Sequence, residues 1–234
     1  MFSYRLLFLF IFVFAFLVSP EKGSSVNVKH MIDDIPENLY FHVYRNDTKI
    51  GFHSVKFSKE KNEILNAEIN IVFNVKFLGI NVYKYKHLNN EKWKFSNNNK
   101  NMSELKLISL RTKTSINNEI TSCNKKNELH ENEKNIFPTS YWNPNFFLKK
   151  DSFSLEMFNT QDCSFFELRV KKLANEKIYD KSLIASRYKL FGETNQGNIL
   201  DIDIWYSKKG EWVKMIFLKD GSEIEYILDE YHEK

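Results

Sequence analysis

Six histidines and thirty acidic residues supply the side chains that could hold a metal or move a proton. A zinc site needs three or four convergent ligands. His42, His53, His87 and His130 lie on separate segments, with no His-x-His or His-x-x-x-His pair. The spacing therefore fixes no metal site, and no metal or other cofactor is expected. His87 and Glu91 flank Asn89-Asn90, which reads as a two-residue turn. Across such a hairpin the two could share a proton, or form an ordinary cross-strand pair. Asp201 and Asp203 fall on one face of a strand, as a hydrolase pair would. The same alternation makes that face a solvated outer one. No Gly-rich phosphate loop and no Gly-x-Ser-x-Gly elbow is present. The balance leans away from an enzyme.

The aromatic residues offer a different chemistry. Pro138 and Pro144 bracket Tyr141-Trp142-Asn143, and prolines at this density exclude a central strand. Tyr141 and Trp142, with Trp93, could line a pocket mouth, where a ring gives apolar contact and a polar tip. The plainer reading is a loop pinned to its own core. Cys123 and Cys163 form no Cys-x-x-Cys motif. In an oxidising compartment they would pair as a disulfide. Two buried thiols are the alternative, since sequence does not fix their separation. Asn46-Asp47-Thr48 and Asn101-Met102-Ser103 match the glycosylation sequon, which acts only in a eukaryotic secretory pathway.

The elements that must position these residues are strands. From Leu65 to Phe77 apolar and polar residues alternate, broken only at Val72. That period of two puts successive side chains on opposite faces of a half-buried strand. Leu39 to Tyr44 and Ile50 to Phe57 read as a pair joined at Asn46-Asp47. Gly79 suggests a bulge or bend after the long strand, with Ile80 to His87 continuing it. Glu91 to Phe95 follows the Asn89-Asn90 turn. Leu105 to Ile116 alternates with Ile108, Leu110, Thr112, Thr114 and Ile116 on one face. Short strands are expected at Ile120, Phe153 to Met157, Phe165 to Val170 and Leu183 to Phe191. The last three, Leu200 to Tyr206, Trp212 to Leu218 and Ser222 to Leu228, form a meander closed by Asp220-Gly221, a strong hairpin signal. Only Ser152–Asn159 suggests a short helix. The fold class is mainly β: a single antiparallel domain, a curved sheet or partly closed barrel with at most short helices.

Leu6 to Val18 is an apolar run preceded by Arg5 and followed by Ser19-Pro20. It reads as a secretory signal peptide over 1–25, because a membrane span needs about 20 apolar residues. An uncleaved anchor is the alternative. Residues 26–38 form a polar leader, and 39–230 make one β domain. The net charge of +4 is mild and scattered, unlike the basic stripe of a nucleic-acid binder.

Several segments carry a resemblance. They are Tyr44-Arg45 with Lys49-Ile50-Gly51-Phe52-His53, and Val82-Tyr83-Lys84-Tyr85-Lys86-His87 with Glu91-Lys92-Trp93. Thr139-Ser140-Tyr141-Trp142-Asn143, Ala185-Ser186-Arg187-Tyr188 with Gly192, Asp201 with Trp205-Tyr206, and Asp220-Gly221-Ser222 complete the set. In order and spacing they resemble an uncharacterised family of exported bacterial proteins, domain of unknown function 6134, over most of residues 40–228. Asn46-Asp47 lacks the Gly expected there, and an Asn-rich loop replaces the Gly turn after Trp93. The resemblance implies export, an antiparallel β fold and no assigned activity or catalytic residue.

Three functions fit. The leading one is a periplasmic, non-enzymatic binder or carrier of an apolar or amphipathic small molecule or lipid. It has no nucleic-acid partner and no stable membrane span once the leader is removed. An envelope scaffold that binds another protein or a glycan is the second. A hydrolase using carboxylate or His groups is the third.

Overall fold

The computed structural model describes residues 35–61, 64–97, 103–126, 136–144, 152–180, 182–194 and 196–231. The leader through residue 34, His130, Asn101-Met102 of the second sequon and the end of the proline-bracketed loop lie outside the described residues.

Among the described residues, twelve strands make one antiparallel sheet. The first six are β1 (Asn38–Arg45), β2 (Thr48–Glu60), β3 (Ile64–Phe77), β4 (Ile80–Asn97), β5 (Ser103–Ile116) and β6 (Glu119–Lys126). The second six are β7 (Ser152–Phe158), β8 (Phe165–Ile178), β9 (Leu183–Glu193), β10 (Ile199–Ser207), β11 (Trp212–Lys219) and β12 (Ser222–Leu228). Each half is a meander, and the halves join where β1 pairs with β12. The two edges are therefore β6 and β7.

The sheet curls until those edges meet. Cys123 of β6 is disulfide-bonded to Cys163 in the turn after β7, with the Cα atoms 5.5 Å apart. Segment 136–144 fills the seam beside β7. Phe158 donates its N–H to Phe137 O at 2.7 Å, and Thr139 N–H donates to Phe158 O at 3.1 Å. The result is a partly closed barrel in which segment 136–144 covers part of the β7 edge.

Tight turns set the register. Asn46-Asp47, Leu78-Gly79, Asn117-Asn118 and Asp220-Gly221 each hold two residues at positive φ, as the hairpin turn matched to right-handed strand twist requires. Gly79 thus closes a true hairpin rather than forming a bulge in a continuing strand. At Gly51 a Cβ would run into the carbonyl of Val72, so glycine lets β2 approach β3.

Three further expectations change. Asn89-Asn90 is not a turn, because β4 runs unbroken from Ile80 to Asn97 between β3 and β5. Ladder bonds on both sides outweigh the turn preference of two asparagines. Ser152–Phe158 is β7, paired with β8, which bears out the strand expected at Phe153 to Met157 and not the short helix over Ser152–Asn159. In β5 a register shift opposite Lys92 and Trp93 makes Ile108 the extra residue. Leu105, Leu107, Leu110, Thr112 and Thr114 are then buried, while Ile108 leaves that face.

Candidate functional site

Register determines what shares the barrel interior. One inward row crosses β1 to β5 as Phe41, His53, Ile71, His87 and Thr114. The next row toward the hairpin tips is Val43, Gly51, Phe73, Tyr85 and Ile116. Tyr226 of β12 pairs with Val43 and continues that row. The row on the other side is Leu39, Val55, Ile69, Asn89, Thr112 and Cys123.

At the tip end the interior is an aromatic cup. Phe73 stacks on Tyr85 at 5.3 Å, and Tyr85 stacks between Tyr83 and His87 at 6.4 and 6.3 Å. Tyr226 joins Phe73 and Phe217 at 6.3 and 6.2 Å. Phe73, Tyr83 and Phe217 are half-buried, whereas Tyr85 and Tyr226 are buried. The half-buried rings form its outer layer.

Its floor is polar and poorly matched. His53 is 3% exposed and ringed by Trp212, Tyr226 and Phe41 at 5.1, 5.7 and 6.1 Å. Neither of its ring nitrogens has a hydrogen-bond partner among the described residues, and the Tyr85 hydroxyl has none either. Burial pulls His53 down to about 3, with His87 nearby adding to the effect. His87, lowered by burial to about 4, hydrogen-bonds Thr114 Oγ1 at 2.8 Å through Nδ1 and Thr160 Oγ1 at 3.3 Å through Nε2. Both imidazoles are neutral at pH 7.

The far end is closed by tryptophan and carboxylate. Glu91 is buried and accepts from Asn89 Nδ2 at 2.7 Å, Trp142 Nε1 at 2.9 Å and Trp93 Nε1 at 3.0 Å. Burial pushes its carboxyl up, and the bonds from Trp142, Asn89, Ser140 and Trp93 pull back against it. Trp142 meets Trp93 at 5.3 Å and Phe57 at 5.0 Å. Tyr141 lies 6.5 Å from Trp212, and its carbonyl accepts from the Tyr206 hydroxyl at 2.7 Å. Trp93, Tyr141 and Trp142 thus come together inside the barrel, each under 10% exposed, and not at a rim.

His87 and Glu91 are also brought to the interior, but on one strand and one face, with Asn89 between them. Four residues of strand separate them by about 13 Å. They form no cross-hairpin pair. Asp201 and Asp203 lie on the outer face in a ladder of opposite charge. Lys189 pairs with both, Arg187 Nε reaches Asp203 at 2.7 Å, and Arg187 also reaches Glu176 at 2.7 Å. Partial burial raises Asp203, yet the bonds from Arg187 and Lys189 outweigh it and hold the carboxyl below its usual range. Such a screened pair is surface structure. Among the described residues no group of three His, Cys, Asp or Glu converges as a metal site.

The sequence reading did not single out Phe73, Tyr85, Phe217, Tyr226 or the floor role of His53. A signal was present in β4. Tyr83, Tyr85, His87, Asn89, Glu91, Trp93 and Phe95 alternate with Lys84, Lys86, Lys92 and Lys94 in one unbroken phase. A two-residue turn at Asn89-Asn90 would have put Trp93 on the same face as Lys86.

A family model described as Domain of unknown function (DUF6134) matches residues 41–229. No curated protein matches the chain. Among solved structures, a β-barrel-like protein of domain of unknown function DUF1849 from Brucella abortus superposes with a TM-score of 0.57 at 10% identity. The alignment covers 83% of this chain and 95% of that one. At this identity the likeness is one of fold.

Proposed function

The chain belongs to the DUF6134 family of domains of unknown function, and from that premise we propose a non-enzymatic binding module for an apolar or amphipathic molecule. The ligand enters the aromatic cup at the hairpin end of the barrel. Phe73, Tyr83, Phe217 and Tyr226 contact its apolar part. His53 and the Tyr85 hydroxyl meet a polar group at its head. Trp93, Tyr141 and Trp142 close the opposite end of the same interior. The module works in the periplasm after export. The apolar leader and the disulfide support that location, since such bonds persist in oxidising compartments.

One observation carries the reading. His53 is buried among rings with both nitrogens unmatched, one layer beneath half-buried aromatics. A buried polar group without a partner costs about 1–3 kcal/mol, and a core filled only for stability favours an apolar residue there. A neutral imidazole offers one donor and one acceptor to an incoming head group. His87 and Glu91, by contrast, are already engaged by protein groups, which supports binding over acid–base chemistry.

Titration with a dansyl-labelled undecanoic acid tests this. The wild-type chain should bind it saturably, with a rise in dansyl emission. Phe73→Ala should weaken binding about tenfold or more, the scale of one buried aromatic contact, and His53→Phe should weaken it for acid but not for the matching hydrocarbon. A wild-type chain that binds no such probe refutes the module. Binding unaffected by either change would move the ligand to another part of the chain.

A further inference from the structure

The β3–β4 hairpin stands out from the barrel. The last β3 residue paired with β2 is Phe73, and the last β4 residue paired with β5 is Tyr85. Beyond them, residues 74–84 pair only with each other among the described residues, apart from the bonds that Asn117 makes to the backbone of Lys84. At the rise of a strand this finger projects about 13 Å.

Its tip is apolar and open. Leu78 is 87% exposed, Ile80 70% and Val82 53%. Ile116 and Ile120, on the neighbouring hairpin, are exposed as well. Leu78 also sits at φ 48°. That backbone brings the Cβ of an L-residue against the next carbonyl, and such turns favour Asn, Asp or Gly. Asn46-Asp47, Asn117-Asn118 and Asp220-Gly221 follow that preference. Tyr179 shares the left-handed backbone but is compensated, donating to Val213 O and accepting from Leu228 N–H. Leu78 has strain and exposure together, with no compensating contact inside the barrel.

The charge on the finger itself has one sign. Between Glu68 and Glu91 the chain carries no acidic residue, while Lys76, Lys84 and Lys86 are all there and exposed. Asp220 and Glu119, at the neighbouring tips, bound this positive zone. Apolar residues at a tip with lysines behind them match a bilayer surface, where side chains enter the acyl boundary and cations meet anionic head groups.

We propose that the β3–β4 finger docks on a lipid surface bearing anionic head groups, with Leu78, Ile80 and Val82 inserted and Lys76 and Lys84 at the head-group level. Tyr83 and Val75 continue from the finger into the cup, so docking sets the mouth of the barrel against the bilayer. The docking does not depend on what the cup binds.

A tryptophan at the tip reads this directly. The four native tryptophans are each 5% exposed or less, so Ile80→Trp in the full chain adds the one solvent-facing indole among them. With vesicles containing phosphatidylglycerol, its emission should shift to shorter wavelength and be quenched by brominated acyl chains. Phosphatidylcholine vesicles should give neither effect. Lys76→Gln with Lys84→Gln should weaken the anionic response about 25-fold, near fivefold for each lysine. The reading is local, so attachment through the apolar leader does not mimic it. An emission unchanged by anionic vesicles overturns the proposal. So does an equal response to neutral vesicles, or an indole already shifted without lipid in a dimer that Leu78→Asn dissolves. Leu78→Asn, which suits the turn, should keep the fold and abolish insertion.

Discussion

Replacing Trp142 by alanine measures how far the closed end of the barrel holds the fold. Its ring is 5% exposed, packed against Trp93 and Phe57, and its indole N–H donates to Glu91 at 2.9 Å. Truncating a buried tryptophan costs about 3–5 kcal/mol, and the lost bond to a carboxylate about 1.5–3 kcal/mol more. Neighbouring contributions do not add fully and the site can partly collapse, so the expected loss is about 4–6 kcal/mol. Against a typical total of about 5–15 kcal/mol, that is a large share. In a chain of this size it should lower the melting temperature by about 10–20 °C. Guanidinium unfolding followed by far-UV circular dichroism gives the free energy. Trp142→Phe separates the two parts, because it keeps a ring and removes only the donor. It should cost about 1.5–3 kcal/mol. In a cycle with Glu91→Gln, the tryptophan and glutamate changes should prove strongly non-additive. If Trp142→Ala stays within about 1 kcal/mol of wild type, the loop is not part of the core and the placement of its rings is wrong.

Reducing the disulfide should destabilise the chain by about 4 kcal/mol, the chain-entropy value for closing a loop of this length, since the bond ties residues 40 apart across the seam. Matched denaturation curves with and without reductant check this, and coincident curves would refute it. Acid should weaken the fold through the buried histidines. His53 at about 3 and His87 at about 4 resist protonation when folded, while the unfolded chain takes up those protons near 6.5. Their stability is therefore fully present above about pH 6.5 and lost as pH falls, down to about 4 for His87 and about 3 for His53. Glu91 acts in the opposite sense, because its raised carboxyl holds its proton more tightly folded than unfolded. Denaturation midpoints of wild type and His53→Phe from pH 7.5 to 4.5 should show the shallower pH slope for the variant, which gains on wild type as the pH falls because it lacks that proton uptake; an equal slope would refute the histidine assignment.

The sequence by itself determined the β class, most strand positions and the β10–β12 meander. Those follow from local rules: alternation fixes which residues face inward, and Asp220-Gly221 tolerates the left-handed backbone its turn needs. Tertiary pairing decided the rest. Asn89-Asn90 carries a turn signal, yet β3 and β5 flank it on both sides and keep it extended. Leu78-Gly79 carries a weaker one and makes the turn, because the strands on either side of it pair with each other. Whether Cys123 and Cys163 bond depended on the curl of the whole sheet, which brings β6 to the turn after β7. Glu91 likewise reads locally as a surface residue, yet it is buried and accepts from the indole of Trp93 on its own strand and from that of Trp142, which only tertiary folding brings to it. Alternation specifies a face, but which side chains meet across that face is set by register and closure, quantities that belong to the assembled sheet.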